Sequence, residues 1–262
     1  MPASTTSLTD RRCSRSARIA LLAALAMLMP CAGFSGAAPA PNAAPVTPRS
    51  AAALDLTGEW VSVITEDWKF RMASPVIGAA EGIPLNNEGK RLAGLWDAQK
   101  DIAAGEQCRA YGAANIMRQP TRLRIGWEDD DTLRIDTDAG TQTRRLEFGA
   151  VDAQPPLSWQ GLSRAQWQRP AVRSEPGTGG SLKVVTTRLK PGYLRKNGVP
   201  YSEETVLTEY YDRFAAPNGD SWLVITQEVT DPKYMTRPYI TSANFKKIPN
   251  GAGWNPTPCS AN

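Results

Sequence analysis

The stretch RLRIGWEDDDTLRIDTDAGTQTRRLEF, residues 122–148, alternates apolar and polar side chains with a period of two. Leu123, Ile125 and Trp127 share one face, and Arg122 and Arg124 take the other. Leu133 and Ile135 repeat the pattern, with Arg134 and Asp136 opposite. Successive side chains of a strand point to opposite faces, so this period predicts half-buried strands. Asp129-Asp130-Asp131 and Asp138-Ala139-Gly140 interrupt the alternation as turns, which makes the stretch a three-strand meander. The acidic run lacks the spaced ligand order of a calcium loop and is read as a hairpin turn, and Glu66-Asp67 is an equally poor cation site.

The same idiom extends along the chain. Residues 58–65 (GEWVSVIT) open it, with 67–72 expected to continue the strand. Residues 181–189, 205–214, 221–230 and 239–247 follow, separated by Pro191-Gly192, Asn197-Gly198 and the turn PNGD at 217–220. Eight or more short strands at close spacing predict an all-β, mainly antiparallel barrel or barrel-like sandwich. One or two short helices are expected. The clearest covers residues 87–99, capped by Asn87, with Leu92, Leu95 and Trp96 as its apolar stripe. Residues 149–180 read as a long irregular loop with a short ordered piece at 159–167, and loops of that length are usually functional or disordered.

The N-terminus reads as an export signal. Arg11, Arg12, Arg15 and Arg18 precede an apolar run at 19–29, too short to span a bilayer, and Ser35-Gly36-Ala37 supplies small residues for cleavage after Ala37. Pro30 argues against a lipoprotein cut before Cys31, and Cys13-Ser14-Arg15 departs from a twin-arginine signal. Residues 38–53 are Ala/Pro-rich and read as a tether outside the core, leaving 54–262 as one domain. A periplasmic or secreted protein with no membrane anchor after signal cleavage is expected. Most of the formal charge of +4 belongs to the signal, so nothing points to nucleic acid.

The remaining cysteines, Cys108 and Cys259, form an even set in an exported chain and predict one disulfide. The chain contains no histidine. That removes histidine-dependent triads and histidine-ligated metals, and no cofactor or metal site is expected.

Thr57-Gly58-Glu59-Trp60 resembles the G-x-W entry strand of lipocalin-like barrels. More broadly, the order TGEW, GEQC, IDTDAGTQT, SWQGLSRAQW, NGVPYSEETVLTEYYDR and VTDPKYMTRPY over 55–245 resembles a family of secreted bacterial proteins of unknown function. Many of those relatives carry His where Tyr201 stands, Arg where Tyr210 stands, and a plain W-x-G-D in place of Gln168-Arg169 and the following insert. The resemblance implies a lipocalin-like barrel and an exported location, and no activity.

Eight Trp suggest an aromatic pocket, with Trp159, Gln160 and Trp167 as candidate walls and Tyr111, Asn115, Arg118 and Tyr201 beside it. The leading expectation is a binding protein for a small, partly aromatic or apolar molecule. The alternative is a cofactor-independent isomerase, lyase or hydrolase using Glu209, Tyr211 and Arg213, which share one face of their strand, with 149–180 as a lid. An envelope interaction module is a third class. The period of two does not say which strand face is inward.

Overall fold

The computed structural model describes residues 45–73, 76–149, 154–169 and 179–261. The signal, the cleavage site and the first part of the tether lie outside the described residues. Nine strands close into a barrel: β1 (Gly58–Val63), β2 (Arg122–Trp127), β3 (Thr132–Thr137), β4 (Gln142–Phe148), β5 (Leu162–Gln168), β6 (Ser181–Thr187), β9 (Val206–Ala215), β10 (Ser221–Thr230) and β11 (Tyr239–Ile248). Two short strands, β7 (Gly192–Tyr193) and β8 (Pro200–Tyr201), form a separate hairpin between β6 and β9. The order around the wall is β1-β11-β10-β9-β6-β5-β4-β3-β2, with β2 returning to β1 through Trp60↔Leu123.

Directions alternate in an antiparallel ring, so a ring of nine must contain a parallel pair. That pair is β4–β5, with Leu146 opposite Ser163. Within the stretch expected to be irregular, the short ordered piece expected at 159–167 is largely a full barrel strand, β5. Its inward residues Ser163 and Ala165 are small, which hid the strand from a search for bulky alternating side chains.

The wall faces inward with Trp60, Leu123, Ile135, Leu146, Ile225 and Phe245. One end is covered by four short helices, α1 (Trp68–Arg71), α2 (Asn87–Gly94), α3 (Ala98–Ala103) and α4 (Ala113–Ile116), together with the β7–β8 hairpin and a 3₁₀ turn at Gln107–Tyr111. Ile116 and Met117 reach from this cap into the barrel core. A second core of Leu85, Ala113, Leu194, Val199, Tyr201, Leu207 and Met235 joins the cap to the strand ends. No helix among the described residues is long and apolar enough to cross a membrane.

Three local expectations change. Residues 68–71 coil into α1 instead of extending β1, after Asp67 turns the backbone at φ 52°. The helix expected at 87–99 breaks into α2 and α3. Asn86 caps the first through its Oδ1, which accepts from the Gly89 N–H at 2.9 Å, and Asp97 caps the second. Its buried positions are Gly89 and Ala93, whereas Leu95 is 63% exposed. Close packing explains this, because a Cβ at Gly89 would stand 2.8 Å from the Tyr234 carbonyl. The end of the proposed tether also lies against the barrel: Arg49 N–H donates to the Asp130 carbonyl at 3.1 Å, and Ala53 is buried.

Cys108 and Cys259 form a disulfide that ties the 3₁₀ turn to the C-terminal tail. The tail is held independently by the Thr257 N–H, which donates to the Asp138 carbonyl at 2.9 Å. The cross-link spans 151 residues, and closing a loop of that length in the unfolded chain stabilises the fold by about 5 kcal/mol at most on the chain-entropy model. A Cys108→Ser/Cys259→Ser variant should therefore unfold at clearly lower denaturant concentration than the oxidised protein. Identical midpoints in urea would remove the cross-link from the stability of the fold.

Candidate functional site

Glu209 and Tyr211 point into the barrel and have no exposed surface. Arg213, two residues on, is exposed at the strand end, where it donates to Ser221 Oγ at 3.0 Å and to the Asp55 carbonyl at 3.0 Å. The expected Glu209–Tyr211–Arg213 row is therefore split. The arginine that meets Glu209 is Arg144 of β4, which donates from Nη1 to Oε1 at 3.0 Å and from Nη2 to Oε2 at 2.6 Å. Arg144 also reaches Tyr211 Oη at 3.4 Å and Thr186 Oγ1 at 3.3 Å. Gln227 Nε2 donates to Glu209 Oε1 at 3.1 Å, and the hydroxyls of Ser163 and Thr186 share a bond of 2.8 Å.

Burial is the largest influence and works against the Arg144 charge, but Glu209 and Tyr211 together outweigh it and hold the guanidinium above its ordinary value. Burial pushes the Tyr211 phenol up. These side chains are bonded to one another and closed to solvent, and only Arg144 Nε and Gln227 Oε1 among them are buried with no partner among the described residues, so they offer a substrate no approach. Within the expected lid, β5 forms part of the wall itself, and residues 150–153 and 170–178 lie outside the described residues.

The other expected residues divide between the two barrel ends. Trp167 packs with Trp127 and Phe148 at the end away from the cap, with ring centroids 6.4 and 5.4 Å away, and its indole N–H donates to the Pro48 carbonyl at 2.8 Å. Trp159 lies at the capped end, where its carbonyl accepts from the Ala113 N–H at 2.9 Å and Lys190 Nζ sits 4.4 Å from its ring. The length of β5 separates the two, roughly 20 Å of strand, so they cannot wall one pocket. Gln160 Nε2 donates to the Tyr111 carbonyl at 2.8 Å, and the Tyr111 hydroxyl accepts from the Ser260 N–H at 3.3 Å, so both tie the cap together.

Two of the cavities on the cap are lined by expected binding residues, and neither of these two is lined by an inward side chain of the wall. The larger, of about 330 Å³, is aromatic: Trp96, Tyr193, Tyr201 and Tyr234 line it with Leu92 and Leu95. One buried carboxylate organises it. Asp101 accepts from the Trp96 indole at 2.8 Å, from Arg109 Nη1 at 2.8 Å and from the Tyr193 hydroxyl at 3.2 Å. Arg109 stacks over Tyr193 at 5.0 Å. Glycines seat the rings. Gly198 has φ 87° and a Cβ there would meet the Trp96 Cβ at 2.1 Å, while a Cβ at Gly192 would stand 2.5 Å from the Tyr201 hydroxyl. That hydroxyl is buried without a hydrogen-bond partner among the described residues. Desolvation pushes the phenols of Tyr193 and Tyr201 up.

Of the expected binding residues, Tyr201 lines this cavity and Arg118 the smaller one, whereas Trp159, Gln160, Trp167 and Tyr111 line neither. The sequence reading missed Trp96 as a pocket wall, having placed it on a helix stripe. It missed Arg144, Tyr193 and Tyr234 because they meet their partners only through tertiary contacts. No family model, curated protein or solved structure matches the chain.

Removing one member of a buried ion pair strands the other, which costs about 3–5 kcal/mol. Glu209→Gln should destabilise by that order in urea denaturation. The double change Arg144→Met/Glu209→Leu should cost less than the sum of the two single changes, and strict additivity would show the pair to be uncoupled.

Tyr193, Tyr201 and Tyr211 have folded values above the unfolded value of about 10, so the stability they contribute is intact below that pH. It is lost as pH rises through their folded values. These three phenols should ionise only together with loss of the near-ultraviolet circular dichroism. Ionisation of all seven tyrosines near pH 10 with the fold intact would contradict this.

Proposed function

We propose that this is an exported barrel protein that binds a small, partly aromatic molecule on its helical cap. The observation that carries the reading is the 330 Å³ cavity of Trp96, Tyr193, Tyr201 and Tyr234. Its volume lies in the range of small-molecule sites, and apolar walls with a few fixed polar groups are the usual composition of such sites. Asp101 holds two of the rings by hydrogen bonds, which lowers the ordering cost of binding. The Tyr201 hydroxyl adds an unused polar group beside the apolar walls. A sealed barrel interior shifts the binding role from the lumen to the cap.

The disulfide is consistent with an oxidising compartment. Together with the basic and apolar segments at the N-terminus it supports a periplasmic or secreted location.

Calorimetric titration of the oxidised protein with indole, a neutral aromatic probe, should give saturable one-site binding heat. Trp96→Ala should weaken the binding about tenfold, the scale of one lost aromatic contact with its buried area. Equal affinity in both proteins, or no saturation in either, would sink the proposal.

A further inference from the structure

The smaller cavity, of about 190 Å³, has a different chemistry. Arg71 from the end of α1, Arg118 after α4 and Arg195 from the β7–β8 hairpin all line it, with Asn115 and Gln119 beside them. The three arginines are only 5–8% exposed. Buried guanidinium groups need acceptors for every donor and a compensating negative charge.

That compensation is incomplete and one-sided. Arg118 Nη2 donates to Asp67 at 2.8 Å, and its Nη1 donates to the Ser242 carbonyl at 3.1 Å and to Thr241 Oγ1. Arg71 donates to Glu66 at 2.6 Å and to the Arg118 carbonyl at 2.9 Å, but its Nη2 is buried with no partner among the described residues. Arg195 donates to the carbonyls of Ala79 at 3.0 Å and Glu81 at 2.6 Å, and lies 3.8 Å over the Phe70 ring. The side chains of Glu66 and Asp67 are 35% and 40% exposed, so the negative charge lies toward solvent and the positive charge inside. Glu81, the other carboxylate acting on Arg195, is also exposed. Burial and the charge of Arg118 bring the Arg71 guanidinium down to about 10, against the pull of Glu66 and Asp67.

We infer that this cavity binds an oxyanion, a carboxylate or phosphate group of a small molecule, with Arg71, Arg118 and Arg195 as its recognition residues. An oxyanion would give the orphaned Arg71 donor an acceptor and place negative charge where the protein has none. Planar guanidinium groups suit both oxyanions, and Phe70, Met72 and Leu194 provide apolar contact for the body that carries the group.

The test is calorimetric titration of the oxidised protein in low-salt neutral buffer, with inorganic phosphate in one arm and benzoate in the other. Saturable one-site binding is expected in at least one arm, and the arm that binds identifies the group. Arg195→Gln should weaken it about tenfold with the circular dichroism unchanged. Absence of saturation by about 10 mM in both arms overturns the inference whatever the variants do. So does unaltered affinity in both Arg195→Gln and Arg71→Gln. Because indole binding is read on another cavity, failure of either site leaves the other standing.

Discussion

The ion pair between Arg144 and Glu209 decides what this barrel can be. Arg144 stands on β4 and Glu209 on β9, with β5 and β6 between them in the wall, so their bond crosses the lumen. Both side chains are fully buried, and each would be costly there without the other. The bidentate geometry uses both carboxylate oxygens, and Tyr211, Thr186 and Gln227 take up further polar atoms. A slip of β9 by one residue would turn Glu209 outward and strand the guanidinium. The pair therefore fixes register between strands that share no ladder. It also fills space that a ligand-carrying barrel would leave open.

Closing a ring of nine strands has a second consequence. The parallel joint β4–β5 requires the chain to travel back along the barrel before β5 begins. Residues 154–161 complete that return at the capped end, where Ser158 bridges to Leu189 and Trp159 receives the Ala113 N–H. The crossover, α4, the 3₁₀ turn and the β7–β8 hairpin thus converge on one rim. Ala113 and Ala114 of α4 join the second core with Leu194, Val199 and Tyr201 of the hairpin, while Ala110 and Tyr111 of the 3₁₀ turn pack into the barrel core, and the residues left at the surface of this rim define both cavities.

Legibility in the sequence followed the size of the inward side chains. Leu123, Ile125, Leu133 and Ile135 are bulky and alternate, and β2 and β3 follow them closely. Ser163 and Ala165 alternate equally well but are small, because the long side chains of Arg144 and Tyr211 already occupy the lumen. The pattern on β4 was readable as a strand, yet nothing local marks Arg144 as inward and Arg145 as outward. Glu209 and Tyr211 were correctly grouped on one face. Their partner was misplaced because strand position 213 has passed the barrel rim. The cap was hardest to read, since its helices bury Gly89 and Ala93 where an amphipathic pattern offers Leu92 and Leu95. The cavities join residues more than a hundred positions apart, and no spacing rule connects Arg71 to Arg195 or Trp96 to Tyr201.

The β7–β8 hairpin belongs to both cavities, which gives the cap a mechanical unity that the barrel wall lacks. Its strands contribute Tyr193 and Tyr201 to the aromatic site, and its turn contributes Leu194 and Arg195 to the basic one. The turn is set by Gly198, whose missing Cβ admits Trp96. Asn197 holds it from the other side, donating from Nδ2 to the Val76 carbonyl at 2.8 Å and the Ala79 carbonyl at 2.9 Å. Arg109, next to the cross-linked Cys108, stacks on Tyr193 and pairs with Asp101. The disulfide therefore acts on the element that orders the aromatic rings, one residue away from it. A wall of nine paired strands holds itself together through its ladders and its buried ion pair. The cap is short helices and turns with few backbone ladders of its own, and the covalent tie falls where such support is least.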